Sequence, residues 1–212
     1  VKNPTNLYTL QAKAGKEYHI EILFKQRNER ATLDFDLGKQ VEINLNLAVE
    51  KVKDADVVLF AGGISPSLEG EEMPVEVPGF KGGDRTDIEL PAVQRDLLKA
   101  LKKAGKKVVF INYSGSAIGL VPESNTCEAI LQAWYPGQAG GTAIVDVLFG
   151  DYNPAGRLPV TFYKDAGQLP DFEDYSMKGR TYRYMQQQPL FPFGHGLSYT
   201  DFTYGEAKLS KN

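Results

Sequence analysis

The sequence predicts an α/β fold, a mostly parallel sheet with helices on both faces, preceded by a few antiparallel strands. Three observations carry that prediction. The short apolar runs VVLFAGG, KKVVFINYSG and CEAILQAWY have the length and β-branched content of buried strands. Helical patterns lie between or after them, as the crossovers of a parallel sheet require. Residues 7–45 instead alternate apolar and polar positions, the period of a half-exposed strand.

Taken in order, LYTLQAKAGKEYHIEILFKQ and ATLDFDLG put Tyr18, Ile20 and Ile22 on one face and His19 and Glu21 on the other. Gly15-Lys16 and Arg27-Asn28 supply turns. Two or three strands cannot stand alone, so residues 1–45 read as the tail of a β-sandwich and His19 as a surface residue. From residue 46 the texture changes. LAVEKVKDA is a short amphipathic helix leading into the first buried strand. In DIELPAVQRDLLKALKKAG, Pro91 suits a first turn, Val93, Leu97, Leu98 and Leu101 form the apolar stripe, and Gly105 ends the helix. Two strands follow, and GQAGGTAIVDVLFG is a helix closed by Gly150. The segment LPVTF and the aromatic tail from Tyr175 read as extended structure packing rings along the sheet edge. Tyr182, Arg183 and Tyr184 belong to that packing, and His195 caps a turn.

Composition narrows the function. The 212 residues, 42% hydrophobic and 24% charged, are ordinary for a globular chain. A net charge of -3 gives no reason to expect nucleic acid or an anionic membrane as partner. No apolar run reaches the roughly 20 residues of a membrane span, and no signal peptide is visible in VKNPTNLYTLQ. Cys127 is the single cysteine, and His19 and His195 are the only histidines. That set supports neither a disulfide nor a metal centre nor a serine triad.

The chemistry-bearing residues cluster where strands end, the edge at which open α/β sheets build sites. After VVLFAGG comes an acidic loop, ISPSLEGEEMPVEVPGFKGGDR, with Glu69, Glu71 and Glu72 between glycines and prolines that oppose regular structure. Three carboxylates that close repel one another, which can raise the proton affinity of one of them, the property that general acid catalysis requires. The competing reading is an exposed loop kept soluble by its charge. Asp84-Arg85 reads as an acid-base pair clasping the loop's far end. The second strand ends in Asn112-Tyr113-Ser114-Gly115-Ser116. The third ends in Trp134 and Tyr135, which could stack on a sugar ring or be buried. No GxxxxGK[ST], GxGxxG or GxSxG is present. The glycines of GQAGG fit close packing of a helix on the sheet better than a phosphate cradle.

The segments VVLFAGG, EGEE…GGDRTDIELPAVQ, KKVVFINYSGSAI, ILQAWYPGQAGGTAIVDVLFGDYNPAGRLPVTF and FPFGHGLSYTDF, in that order, resemble the C-terminal α/β-sandwich domain of glycoside hydrolase family 3 over roughly residues 46–204. Residues 1–45 resemble the last strands of a protective-antigen-type β-sandwich that some members carry as an insertion. The domains expected are thus 1–45, the tail of the insertion, and 46–212, a partial sandwich domain. The nearest branch is that of bacterial exo-acting β-xylosidases and β-glucosidases.

That resemblance implies a retaining enzyme with two carboxylates. The nucleophilic aspartate lies on a TIM-like barrel absent from these residues, and a loop of the sandwich domain brings the acid/base glutamate. It also implies an oligosaccharide or aryl glycoside substrate, no cofactor, an exported or periplasmic protein, and inactivity of these residues alone. Counted from the strand side, Glu71 falls on the acid/base position, with Glu69 and Glu72 as register alternatives. Counted back from Asp84-Arg85, the register stays open. The alternative function is a non-catalytic carbohydrate-binding or structural module.

Overall fold

The computed structural model describes residues 10–23, 25, 38 and 43–210. Contacts divide the chain into two units, Val1–Glu42 and Ile43–Asn212. In the first, Gly15 takes a left-handed φ of +76° and the Lys13 N–H donates to the Tyr18 hydroxyl at 2.8 Å. Residues 10–23 form no strand, contrary to the alternation through Tyr18, Ile20 and Ile22. Ile20 and Ile22 stay 51% and 46% exposed, and a strand without a paired neighbour gains too little to persist. His19 is exposed. The rest of the antiparallel expectation, with the turn at Arg27-Asn28, falls outside the described residues.

The second unit is α/β. Its elements are α1 (Leu45–Lys51), β1 (Val57–Gly63), β2 (Glu76–Val77), β3 (Phe80–Lys81), β4 (Asp84–Arg85), α2 (Ala92–Lys103), β5 (Lys107–Tyr113), α3 (Val121–Thr126), β6 (Ala129–Gln132), α4 (Gly140–Phe149), a 3-10 turn (Ala166–Gln168) and α5 (Thr181–Tyr184). The Asn44 side chain accepts from the Leu47 N–H and starts α1. The main sheet is parallel in the order β1-β5-β6, with Val57 opposite Lys107 and Val109 opposite Ala129. This register brings Gly63 beside Tyr113 and Asn112 beside Gln132, so the three strands finish together.

The core lies between the sheet and α2. Val108 and Phe110 of β5 are wholly buried, with Leu98 and Leu101 of α2 and with Ile118, Leu120 and Phe162. The buried stripe of α2 differs from the expected one at its start. Val93 is 45% exposed, and Gln94, four residues before Leu98, turns inward instead. Gly105, at φ +74°, follows the helix as predicted.

Three further expectations are corrected. The link between β5 and β6 holds a helix, α3, which the polar VPESNT did not announce. A parallel neighbour cannot be reached by a hairpin. Gly140 packs on Pro136 rather than on the sheet: an added Cβ would lie 2.5 Å from Pro136 Cβ. The tail is not a run of rings along the edge. Phe162 pairs with Phe191 in one antiparallel bridge, and Phe191 joins the core, while Tyr175, Tyr199 and Tyr204 are exposed. Residues 181–184 form the short α5, where Tyr182 stacks on Phe193 at 4.4 Å. His195 closes a turn by donating its backbone N–H to Pro192 O, and its ring stacks on Phe191.

Candidate functional site

The site is built where β1, β5 and β6 end. Gly63 is the first necessity. Its φ is +130°, and a Cβ there would lie 1.9 Å from the Tyr113 carbonyl oxygen, so only glycine allows β1 and β5 to close this tightly. Gln94 of α2 fixes the same residue from below. The Gly63 N–H donates to Gln94 Oε1 at 2.8 Å, and Gln94 Nε2 donates to Gly63 O at 2.7 Å. The Ile64 N–H donates to Tyr113 O, and the Tyr135 hydroxyl donates to Ile64 O at 2.7 Å. The three strand exits are thereby tied together.

Beneath them lies a polar layer. Asn112 Nδ2 donates to Gln132 Oε1 at 2.6 Å and to Ser114 Oγ at 3.3 Å, and Gln132 Nε2 donates to Ser114 Oγ at 3.0 Å. Asn112 and Ser114 are fully buried. Such a network holds neighbouring strand ends in one register, because breaking it strands buried donors.

The acidic loop is more regular than its glycines and prolines suggested. β2, β3 and β4 form a small antiparallel sheet inside it, anchored by the buried Phe80. The glycines make this possible: Gly79, Gly82 and Gly83 take φ of +88°, +64° and +90° at the reversals. A Cβ on Gly83 would lie 1.8 Å from Gly70 O, so the two halves of the loop touch at these glycines. The Gly70 N–H donates to Gly83 O and the Met73 N–H to Gly82 O. Glu71 and Glu72 form the corner between those two bonds, exposed, with Glu72 at φ +48°. A non-glycine residue there is held by its surroundings rather than by its own preference.

Glu69 sits differently. It is half-buried, and its Oε1 accepts from Ser116 Oγ at 3.1 Å. Arg85 reaches the same hydroxyl: its Nη1 donates to Ser116 Oγ and to Ala117 O, both at 2.9 Å, while Nε donates to Asp87 O at 3.2 Å. Arg85 therefore clasps the loop through Ser116 rather than through its neighbour Asp84, because successive strand residues face opposite ways. Burial pulls the guanidinium below its ordinary value, against the charges of Glu69, Asp87, Glu89 and Tyr135. Partial burial, with the charge of Glu69, pushes the Tyr135 phenol upward.

Of the two aromatic candidates, Trp134 packs edge-on against Phe162 at a centroid distance of 6.1 Å, from a backbone with φ +56°. Tyr135 remains 44% exposed over Gly115. Sequence reasoning missed Gln94 and Gln132. The available signal for Gln94 was a polar residue at a stripe position of a strongly amphipathic helix. Among the described residues no group of three or more His, Cys, Asp or Glu side chains could hold a metal ion. Nor, among the described residues, is any helix long and apolar enough to cross a membrane.

Comparison with known proteins places this arrangement. The profile of the glycosyl hydrolase family 3 C-terminal domain matches residues 3–199. A xylan 1,4-beta-xylosidase of Xylanibacter ruminicola is 59% identical over 201 residues, covering 94% of this chain and 23% of that protein. A periplasmic beta-glucosidase of Salmonella typhimurium is 41% identical, over 77% of this chain and 22% of its own length. Among solved structures, a beta-D-glucoside glucohydrolase of Trichoderma reesei superposes with a TM-score of 0.66 at 26% identity, covering 77% of this chain and 24% of that one.

Proposed function

The chain belongs to glycoside hydrolase family 3, and from that premise we propose that it supplies the general acid/base loop of a retaining, exo-acting β-glycosidase. A terminal, non-reducing β-linked xylose or glucose of an oligosaccharide or aryl glycoside is the substrate. The observation that carries this reading is the glutamate-bearing loop locked to the carboxyl ends of β1, β5 and β6, in a family of glycosidases. Residues 1–45 read as the tail of an inserted β-sandwich. The nucleophilic aspartate belongs to a barrel in the remaining three-quarters or so of the relatives' length, so these residues alone do not hydrolyse glycosides. The containing protein acts in the periplasm or outside the cell, by likeness to the periplasmic relative.

In the first step the protonated glutamate gives its proton to the leaving-group oxygen while the barrel aspartate attacks the anomeric carbon. In the second the same residue, now a carboxylate, takes a proton from water as the glycosyl-enzyme is hydrolysed. The two carboxyls of such a site stand about 5–5.5 Å apart. Glu71 is the residue assigned to this role, because it falls on the acid/base position when counted from the strand side and the backbone bonds at Gly70 and Met73 hold it at an exposed corner of the loop. Glu69 is the second reading, favoured by its carboxylate's place among Ser116, Arg85 and Tyr135 at the strand ends.

Substituting Glu71, Glu69 and Glu72 singly by Gln in the complete protein separates them. The acid/base variant loses turnover of poor leaving groups by a factor on the order of 10²–10⁴ and retains far more on activated aryl glycosides. Wild-type behaviour of all three variants would remove the loop from the mechanism.

A further inference from the structure

We infer that Arg85 is the positioning residue of the acidic loop, its guanidinium fixing the loop to the β5 exit. This rests on the acid/base reading of the loop. The geometry is specific to a fork. One guanidinium joins three oxygens on two segments: Asp87 O through Nε, and Ser116 Oγ and Ala117 O through Nη1. The Ser116 hydroxyl passes the connection on to Glu69, so Arg85, at one end of the loop, is tied to Glu69 at the other through a residue of a different strand exit. The Gly70–Gly83 and Met73–Gly82 backbone bonds lie between those ends and carry the Glu71-Glu72 corner. Movement at Arg85 is thus transmitted to all three glutamates.

Arg85's hydrogen-bond partners are neutral oxygens, and its Nη2 is buried with no hydrogen-bond partner among the described residues. The charged or ionisable groups facing it are Glu69 from the loop, Asp87 and Glu89 from the segment before α2, and Tyr135 from the β6 exit. Lysine keeps the positive charge and loses the fork, because one ammonium cannot span three oxygens on two segments.

The test uses the complete protein and three variants. Arg85→Met should lower kcat roughly 10- to 100-fold, as expected for a displaced catalytic group, with KM moved far less. Arg85→Lys should also lower kcat, because it keeps the charge and loses the fork. Ser116→Ala, which keeps both charges, should lower kcat by less than Arg85→Met does. Wild-type kcat in Arg85→Met overturns the inference. If Arg85→Met does not fold, wild-type kcat in Ser116→Ala overturns it instead. Azide addition to the three glutamate variants keeps the two ideas apart. Rescue of one of them with unaffected Arg85 variants rejects the role of Arg85 alone, whereas no rescue of any rejects the acid/base reading beneath it.

Discussion

Arg85 and Arg95 stand ten residues apart, both drawn out of solvent, and meet opposite surroundings. Arg95, on α2, binds two carboxylates. Its Nη1 lies 2.7 Å from Glu89, and Nε and Nη2 donate to Glu123 at 2.7 and 3.1 Å, with a further bond from Nη2 to Gly119 O. Burial works against that charge, and hydrogen bonds to Glu123 and Glu89 more than offset it, raising the guanidinium above its ordinary value. Arg85 is held by neutral oxygens, and its guanidinium is lowered. The contrast separates two uses of one side chain. Arg95 closes an ion-paired cluster, one cation with two carboxylates, that holds α2, α3 and the turn at Gly119 together. Arg85 fastens the glutamate loop to the β5 exit through neutral oxygens.

The largest effect that could break this contrast is on stability. Arg95→Met leaves Glu123, 1% exposed, without its cation, and should cost about 3–5 kcal/mol in thermal or urea unfolding. Arg85→Met removes hydrogen bonds to neutral groups and should cost only about 1–2 kcal/mol. Equal losses would erase the distinction between an ion-paired cluster and a clasp of neutral oxygens. A smaller effect sharpens the Arg95 side. Burial first, and then the charge of Glu123, push the Cys127 thiol up to about 11. Little thiolate is present at neutral pH, so alkylation should be slow. Glu123→Gln should speed it severalfold at about pH 9 by removing one of the groups that oppose ionisation. An unchanged rate would mean that burial alone governs this thiol.

The strands and long helices were legible because each satisfies a periodic rule by itself. VVLFAGG and KKVVFINYSG are apolar runs of strand length, and Leu97, Leu98 and Leu101 mark a helix face whatever surrounds them. α3 was not legible, since VPESNT has no apolar period. Its buried Glu123 is explained only by Arg95, 28 residues earlier. The small sheet β2-β3-β4 was hidden for a related reason. Its strands of two residues are too short to show alternation, and the glycines that read as breakers are the residues that make its reversals. The acidic loop itself was visible as a cluster of carboxylates. What fastens it was not, because Arg85–Ser116 and Gln94–Gly63 each join residues 31 positions apart.

One reaction product tests the role of Glu71 most directly. The complete protein carrying Glu71→Gln, given an activated aryl β-glycoside and sodium azide, should regain turnover and release the β-glycosyl azide. Azide attacks the glycosyl-enzyme from the face the missing acid/base has vacated, and needs no proton removed. Wild-type hydrolysis without azide in this variant, with rescue appearing only in Glu69→Gln or in none of the three, would contradict the assignment of Glu71.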